Sequence, residues 1–463
     1  MSMFKDLAFR ALEEGVKHGT SYVEVRYHEG TATSLRVRKG VVESPSISDF
    51  KGMGIRVLKD GSWGFACLED LSLEKVIEAV NSAVKLASSS SGWRSRRVDI
   101  AKVNPVKDRV ETQVIRVPSK VPIEEKLKMV FDADKAIWSK GENIIDDSVV
   151  YADYSGKKVF LSSEGAAIEI DEIRTYLAVQ VSAREAGRVS PAYEAMGGTT
   201  GFELLERNDP VKMADEAASR AIRLLNASVP KGGVSTCVLD NKILGLLVHE
   251  ALGHTAEADF VLSGSILAGK IGEQVASEYV TIVDSPEPAG ANGWMRYDDE
   301  GVKTKPVKIV EKGVLKGFMH NRESAAVFGV EPTGNARAQS YSHVPLIRMR
   351  NTYMEAGDWD PEEIIRETRE GFYLKGSLGG QADSNGEFTF SVQEAWRIDK
   401  GELVEPFRGV AISGSAVEVL KSVDAVGKDL KIISPGNCGK FQWVPVDDGG
   451  PHIRARMIVG GGL

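Results

Sequence analysis

The sequence predicts an α+β N-terminal region, with helices set against antiparallel strands, followed by a mostly β C-terminal domain that carries one functional helix. Three observations point there. Amphipathic segments with apolar residues three and four apart recur through the first half. Alternating runs typical of half-buried strands fill the spaces between them. After "VPKGG" (229–233) the chain becomes rich in glycine and short β-like runs. Helices segregated against antiparallel strands are the α+β pattern. The change of texture places a boundary near residue 230, giving an N-terminal domain of 1–230 and a C-terminal domain of 231–463.

The elements follow in order. Residues 3–17 put Phe4, Leu7, Ala8, Ala11 and Leu12 on one helix face, with Gly19 as a stop. "YVEVRYH" (22–28), "TSLRVRKG" (33–40) and "GMGIRVLKDGSWGFA" (52–66) alternate as strands, the last with "KDG" as its turn. A second helix, "LEKVIEAVNSAVKLA" (73–87), ends in "SSSSG", a flexible exit, and residues 88–121 form a polar connector. A third helix at 122–138 precedes the strands "VVYADYS", "KKVFLSS", "AAIEID" and "IRTYLAVQVSA". A fourth, 209–227, has Asp209 as its cap and Pro210 in the first turn. In the second half, "PVKIVEKGVLKGFMHN", "FTFSVQEAWRIDKGELVEPF" and "IRARMIVGG" read as β.

Composition narrows the function classes. With 42% hydrophobic and 27% charged residues over 463 positions, this is the composition of an ordinary soluble globular protein. A net charge of −8 gives no electrostatic reason to expect a nucleic-acid partner. Charges run throughout residues 1–18, against a signal peptide, and no apolar run approaches the roughly 18–20 residues of a membrane span. Cys67, Cys237 and Cys438 are scattered and odd in number, so a reducing cytoplasm is expected rather than a disulfide framework.

The chemistry concentrates in "LVHEALGHTAEAD" (247–259). Metallopeptidases with H-E-x-x-H place two ligands four residues apart on one helix face. Here His249 and His254 are five apart. On an α-helix that spacing leaves them roughly 140° from each other. A π-type turn would bring both rings to one face, and Gly253 offers a place to unwind at low steric cost. Without such a departure, His249 is a satisfied core histidine and His254 a polar helix end. With it, two imidazoles and one further ligand leave zinc an open position for water, and Glu250 is placed to take that water's proton. The third donor stays open among Glu257, Asp259, Cys438, His320, His343 and His452. Cys438 lies in "SPGNCGKFQWVP", an exposed turn-like stretch, whereas Cys237 sits in an apolar strand as structural cysteines do.

Other segments admit two readings each. "GGQADSNGEF" would let an extended peptide approach Gly379 and Gly380 closely, or form an ordinary hairpin turning at "SNGE". Arg337 would hold a peptide carboxylate or the scissile carbonyl, or else a structural ion pair. His320 and His343 fit core or surface positions. "GGTTGFE" (197–203) lacks the strand–glycines–helix unit with lysine that cradles phosphate.

From end to end the chain resembles the TldD/PmbA family, known as DNA gyrase modulators and metallopeptidases. The resemblance is carried by "SLRVRKGVVES", "HEALGHTAEAD", "DDEGVKTKPVKIVEKGVLKGFMHNRESA" (298–325) and "TGNARAQSYSHVPLIRMRNTYMEAGD" (333–358). It continues in "GGQADSNGEFTFSVQEAWRIDKGEL" (379–403) and in "CGK" with "VPVDDGGPHIRARMIVGG" near the end. The chain keeps H-E-x-x-x-H, the mark of the TldD-type branch. The resemblance implies that His249, His254 and Cys438 bind one zinc per active chain and that Glu250 is the general base. It also implies hydrolysis of short or unfolded peptides inside a closed dimer, homomeric or formed with a motif-lacking paralogue, with no membrane and no direct nucleic-acid binding. Two features depart from the family: Thr255 stands where proline is expected, and "KFQWVPV" is unusually aromatic. Two alternatives of other classes are a non-catalytic peptide-binding or modulator subunit and a hydrolase using Cys438 with His452 as base.

Overall fold

A computed structural model describes residues 3–93 and 96–461. The N-terminal part is built on one long sheet of β1 (Tyr22–Arg38), β2 (Val41–Lys59), β3 (Ser62–Leu68), β4 (Lys107–Val110), β5 (Ile144–Ser162), β6 (Ala167–Glu185) and β7 (Arg188–Gly198). The order is β3-β2-β1-β5-β6, and both β4 and β7 pair along β6. Runs that read as separate strands in the sequence are continuous here. "YVEVRYH" and "TSLRVRKG" are one strand, β1, and the four runs after residue 148 are only two, β5 and β6. Gly30, which looks like a break, faces Gly156 across the sheet, where an added Cβ would lie 2.8 Å from the Gly156 Cα. The glycine pair lets two long strands pass closely instead of ending them.

Two helix pairs cover the two ends of this sheet. Met3–Lys17 and Leu73–Ser90 close a core with Val23, Val25, Ile55 and Val57, while Ile123–Trp138 and Pro210–Arg223 close another with Leu35, Val37, Val149 and Val179. The Asp209 cap forms as expected, its side chain accepting from the Lys212 N–H at 3.1 Å. The serine run is not a flexible exit: the helix continues through Ser90, whose hydroxyl donates to the Leu86 carbonyl at 2.7 Å. Within the polar connector, β4 joins β6 in parallel. Its four residues, Lys107–Val110, are too short and charged to show as a strand in the sequence.

The C-terminal part contains a closed barrel. Its strands are β8 (Gly233–Leu239), β9 (Glu370–Ala382), β10 (Glu387–Asp399), β11 (Val410–Ser415) and β12 (Ile453–Gly461). Each pairs with the next, and β12 pairs back to β8, so the ring removes free edges over most of its length. A second sheet lies beside it, containing Ile282–Ser285, Asn351–Met354 and Trp443–Gly450. The functional helix is packed into the common core through Leu247, Val248, Ala251 and Leu252. Among the described residues no helix is long and apolar enough to cross a membrane.

Candidate metal centre

Asp240 starts the functional helix. One carboxylate oxygen accepts from the N–H groups of Lys242 and Ile243 at 3.1 and 3.0 Å, and the other accepts from Gly376 on β9 at 3.0 Å. The cap thereby fixes the helix to the barrel. Asn241–Leu246 are α-helical, and Leu247–Gly253 widen into a π-helix. The N–H of His254 donates to the carbonyl of His249, five residues back. The wider turn absorbs the extra residue and turns both imidazoles to one side. Their ring centroids are 5.4 Å apart with planes at 88°.

Gly253 serves this turn differently from the expectation. It keeps a right-handed helical conformation, with φ −56°, so the chain does not unwind there. A Cβ at this position would lie 2.1 Å from the Met349 sulfur, and the glycine is required for that close approach. Gly253→Ala should therefore displace the π turn and destabilise the fold by about 1–3 kcal/mol. A melting temperature equal to that of the unaltered protein would show that the contact yields freely.

Cys438 arrives from 184 residues away in sequence. It lies on the strand Gly436–Gly439, opposite Val444 of the strand Trp443–Gly450. The buried Arg348 donates to the carbonyls of both Cys438 and Gln442, pinning the two sides of this ribbon. The expected exposed position of Cys438 is incorrect, since the residue is 4% exposed. The glycines around it belong to a ribbon whose tip, rather than whose cysteine, faces solvent: Phe441 is 99% and Trp443 62% exposed. The Cys438 Sγ lies 3.3 Å from the His254 Nε2. Donor atoms of His249, His254 and Cys438 all fall within 4.8 Å of one another.

The electrostatics of the three groups are coupled. Burial alone would push the Cys438 thiol up, but the His249 and His254 imidazoles beside it bring it down to about 5. Burial opposes a charge on His249, yet the Cys438 sulfur, helped by the Glu250 carboxylate, raises the imidazole to about 9. His254 is half-buried, and although desolvation opposes its charge, its pKa is raised by Glu257 and by the same sulfur. The His249 Nδ1 is buried without a hydrogen-bond partner, an uncompensated polar atom at the cluster. Two imidazoles and an acidified thiol are a donor set that fits zinc and leaves a coordination position open. Glu250 Oε2 lies 3.8 Å from the His254 Nε2, the nitrogen that faces Cys438, and its side chain remains 27% exposed.

The other candidate donors are engaged elsewhere. Glu257 Oε2 meets the other ring nitrogen of His254, Nδ1, at 3.2 Å, and Asp259 pairs with Lys440. His320 meets the Ser324 hydroxyl, and His343 meets Ser340. His452 is held between Asp429 at 2.7 Å and the Tyr373 hydroxyl at 3.1 Å, so its ring nitrogens serve those partners and not Cys438. Among the described residues Arg337 forms no ion pair. It is buried and donates to the carbonyls of Met349 and Pro445, along one wall of a cavity of about 280 Å³ with His28, Tyr154 and Trp294. Gly379 and Gly380 lie on β9 at a register shift in its pairing with β10, in a hairpin closed by the Gly386 N–H donating to Asp383. Beyond Leu374 no strand pairs β9 on its β8 side among the described residues. Thr255, in place of the expected proline, donates its hydroxyl to the Leu252 carbonyl at 2.8 Å and thereby closes the last turn. Sequence reasoning missed Arg348, Met349 and Lys440. The first two sit in "LIRMRN", where apolar and basic residues alternate as in a strand and nothing marks a site, but Lys440, two residues after the cysteine, was open to notice.

Three family models of PmbA/TldA metallopeptidases match the chain: domain 1 at residues 23–87, the central domain at 116–225 and the C-terminal domain at 232–461. A protein of Methanothermobacter thermautotrophicus named metalloprotease is 39% identical, over 96% of this chain and 97% of its own length. A zinc metalloprotease TldD homolog of Saccharolobus solfataricus is 32% identical, over 98% and 99% respectively. The crystal structure of a Thermotoga maritima protein bearing the name of a DNA gyrase modulator superposes with a TM-score of 0.80 at 26% identity, covering 99% of this chain and 100% of that one. TldE from Thermococcus kodakarensis shares the fold, with a TM-score of 0.76 at 20% identity, over 98% of this chain and 100% of its own. With matching models along most of its length and relatives aligned nearly end to end, the chain belongs to the PmbA/TldD family of metallopeptidases.

Proposed function

We propose that this protein is a zinc-dependent peptidase acting on short or unfolded peptides, with His249, His254 and Cys438 as metal ligands and Glu250 as general base. The convergence of three donor atoms within 4.8 Å, two from a π turn and one from a distant ribbon, carries this reading. Zinc, when bound there, would polarise a peptide carbonyl and acidify a water. Glu250 stands beside the ligands, partly open to solvent, where its carboxylate can take a proton from the attacking water and hand it to the departing amine. The unpaired side of β9 near Gly379 and Gly380 offers backbone groups to an extended peptide. Phe441 and Trp443 offer an apolar surface next to the cysteine. Arg337 shapes the neighbouring cavity by holding the backbone of Met349 and Pro445.

On this reading residues 231–463 form the catalytic domain and residues 1–230 the N-terminal domain, and the protein works in the cytoplasm, where three unpaired cysteines stay reduced. Its partner in a closed dimer is a second copy or a motif-lacking paralogue, a pairing that the shared fold with TldE supports.

One observation favours a second reading. An acidified thiol 3.3 Å from an imidazole also suits a nucleophilic cysteine, with His254 and not His452 as its base. Metal analysis and peptide hydrolysis on the protein and on Cys438→Ser separate the two. About one zinc per active chain, diminished in the variant together with activity, is the expected result. Activity that survives complete chelation but vanishes in Cys438→Ser would establish the thiol mechanism, and neither metal nor turnover would indicate a binding subunit.

A further inference from the structure

Lys440 lies two residues beyond Cys438, and its side chain turns inward while Phe441 beside it points into solvent. Its ammonium donates to Glu257 Oε2 at 2.9 Å, to both oxygens of Asp259 at 2.8 and 2.7 Å, and to the Ile347 carbonyl at 3.2 Å. It also lies 4.3 Å from the centroid of the Phe260 ring. Glu257 is fully buried, and the same Oε2 that accepts from Lys440 stands 3.2 Å from the His254 Nδ1. The opposite nitrogen of that ring, Nε2, faces the Cys438 sulfur at 3.3 Å. One carboxylate oxygen thus joins the ring of one candidate ligand to the ribbon that carries another.

We propose that Glu257 and Lys440 are positioning residues that assemble the metal site: Glu257 orients His254, and Lys440 docks the Cys438 ribbon onto the same carboxylate. This rests on the metal-site reading above. An imidazole whose Nδ1–H is given to a carboxylate keeps its Nε2 lone pair free and its ring plane fixed, the arrangement that orients metal-binding histidines generally. Lysine supplies three donors and no acceptor. A buried ammonium therefore has to find several oxygens, and only a docked ribbon brings it to Glu257, Asp259 and Ile347 together. The charges explain why both acids are present: Asp259 takes two of the Lys440 contacts and balances its charge, so a single Glu257 oxygen can serve both the ammonium and the His254 ring. The ribbon has a second anchor in Arg348, which donates to the Cys438 carbonyl. Arg348 sets where the backbone lies, whereas Lys440 links that position to the ring of His254.

The test uses full-length metal-free protein and two probes, zinc titrated against a chromophoric chelator and cobalt(II) absorption, whose sulfur-to-metal charge-transfer band reports on the thiolate. Glu257→Gln keeps the shape of the side chain and leaves Asp259 to balance Lys440, so it should melt close to the unaltered protein. It is expected to bind zinc about 10–100-fold more weakly. Lys440→Met should weaken zinc similarly and diminish the charge-transfer band, because the sulfur is no longer held against His254. The double variant should lose little more than either single one, since both act through one oxygen. If Lys440→Met fails to fold, Glu257→Gln decides alone. Zinc affinity unchanged in Glu257→Gln, while the unaltered protein binds zinc, overturns the proposal and leaves the metal site standing. Failure of the unaltered protein to bind zinc removes both.

Discussion

Glu250→Gln is expected to keep its zinc and lose peptide hydrolysis by about 10²–10⁴-fold, the usual contribution of a positioned acid–base group. The carboxylate stands next to the ligands without being one: its oxygen is 3.8 Å from the His254 Nε2, and it has no hydrogen bond to the ring. The amide of glutamine has nearly the same volume, so the π turn and the packing of Val248 and Ala251 around it should be undisturbed. What disappears is an acceptor able to carry a proton from the attacking water to the leaving amine. Turnover of an unstructured peptide and bound metal should be measured on the same samples. A variant that cleaves at the unaltered rate removes Glu250 from the mechanism, whatever its metal content, and a variant that loses its zinc makes Glu250 a structural element of the site.

The legibility of this fold in its sequence depended on how far each signal reached. Amphipathic helices announce themselves locally, and the four long ones in the N-terminal part lie where the spacing puts them, within a few residues, while the six-residue helix Glu203–Asn208 was too short to read. Strand identity was local too, but strand length was not. Gly30 and Gly156 look like interruptions until the two are seen to face each other across the sheet. The barrel was legible only as a β-rich texture. Its closure pairs β8 with β12, more than two hundred residues apart, and no local pattern records such a partner. β7 went unread because "RVSPAYEAMGG" carries a proline and alternates weakly.

At the site, the five-residue spacing of the histidines was itself informative. It demanded a departure from the α-helix, and the helix is π over those residues. Of the two routes the spacing allowed, the π turn is taken and unwinding at Gly253 is not; the glycine is needed for its missing side chain, which only the neighbour Met349 reveals. For Cys438 the sequence offered glycines and a turn, which suggest exposure; they instead let a narrow ribbon insert its cysteine inward while its aromatic tip stays in solvent. Glu257 was weighed as a ligand. Its three-residue offset from His254 does place it against that ring, but at the far nitrogen. Only the fold says which side of an imidazole a neighbour will occupy.

Removal of either histidine should have effects beyond the loss of Glu250, because metal and chemistry go together. In His249→Ala and His254→Ala, zinc should fall from about one per chain to background, and hydrolysis should drop further than the roughly 10²–10⁴-fold expected for the missing base. The protonation states of the metal-free site add a pH dependence whose sign can be worked out. The thiol of Cys438 is lowered to about 5, so at neutral pH the sulfur is already a thiolate. His249 is raised to about 9, so at the same pH it carries a proton that a ligand cannot keep. Metal must then displace protons from imidazole rather than from sulfur. Zinc affinity should therefore climb with pH between about 5 and 9, by about tenfold per unit for each proton displaced, and fall more steeply below 5 where the thiol is protonated as well. In His249→Ala the thiol loses the neighbour that contributes most to holding it down, so its titration should move upward, which thiolate absorbance near neutral pH would reveal. An affinity that stays flat from pH 6 to 8 would mean that the imidazoles are neutral before the metal arrives, and that the coupling between Cys438 and His249 is weaker than their geometry implies.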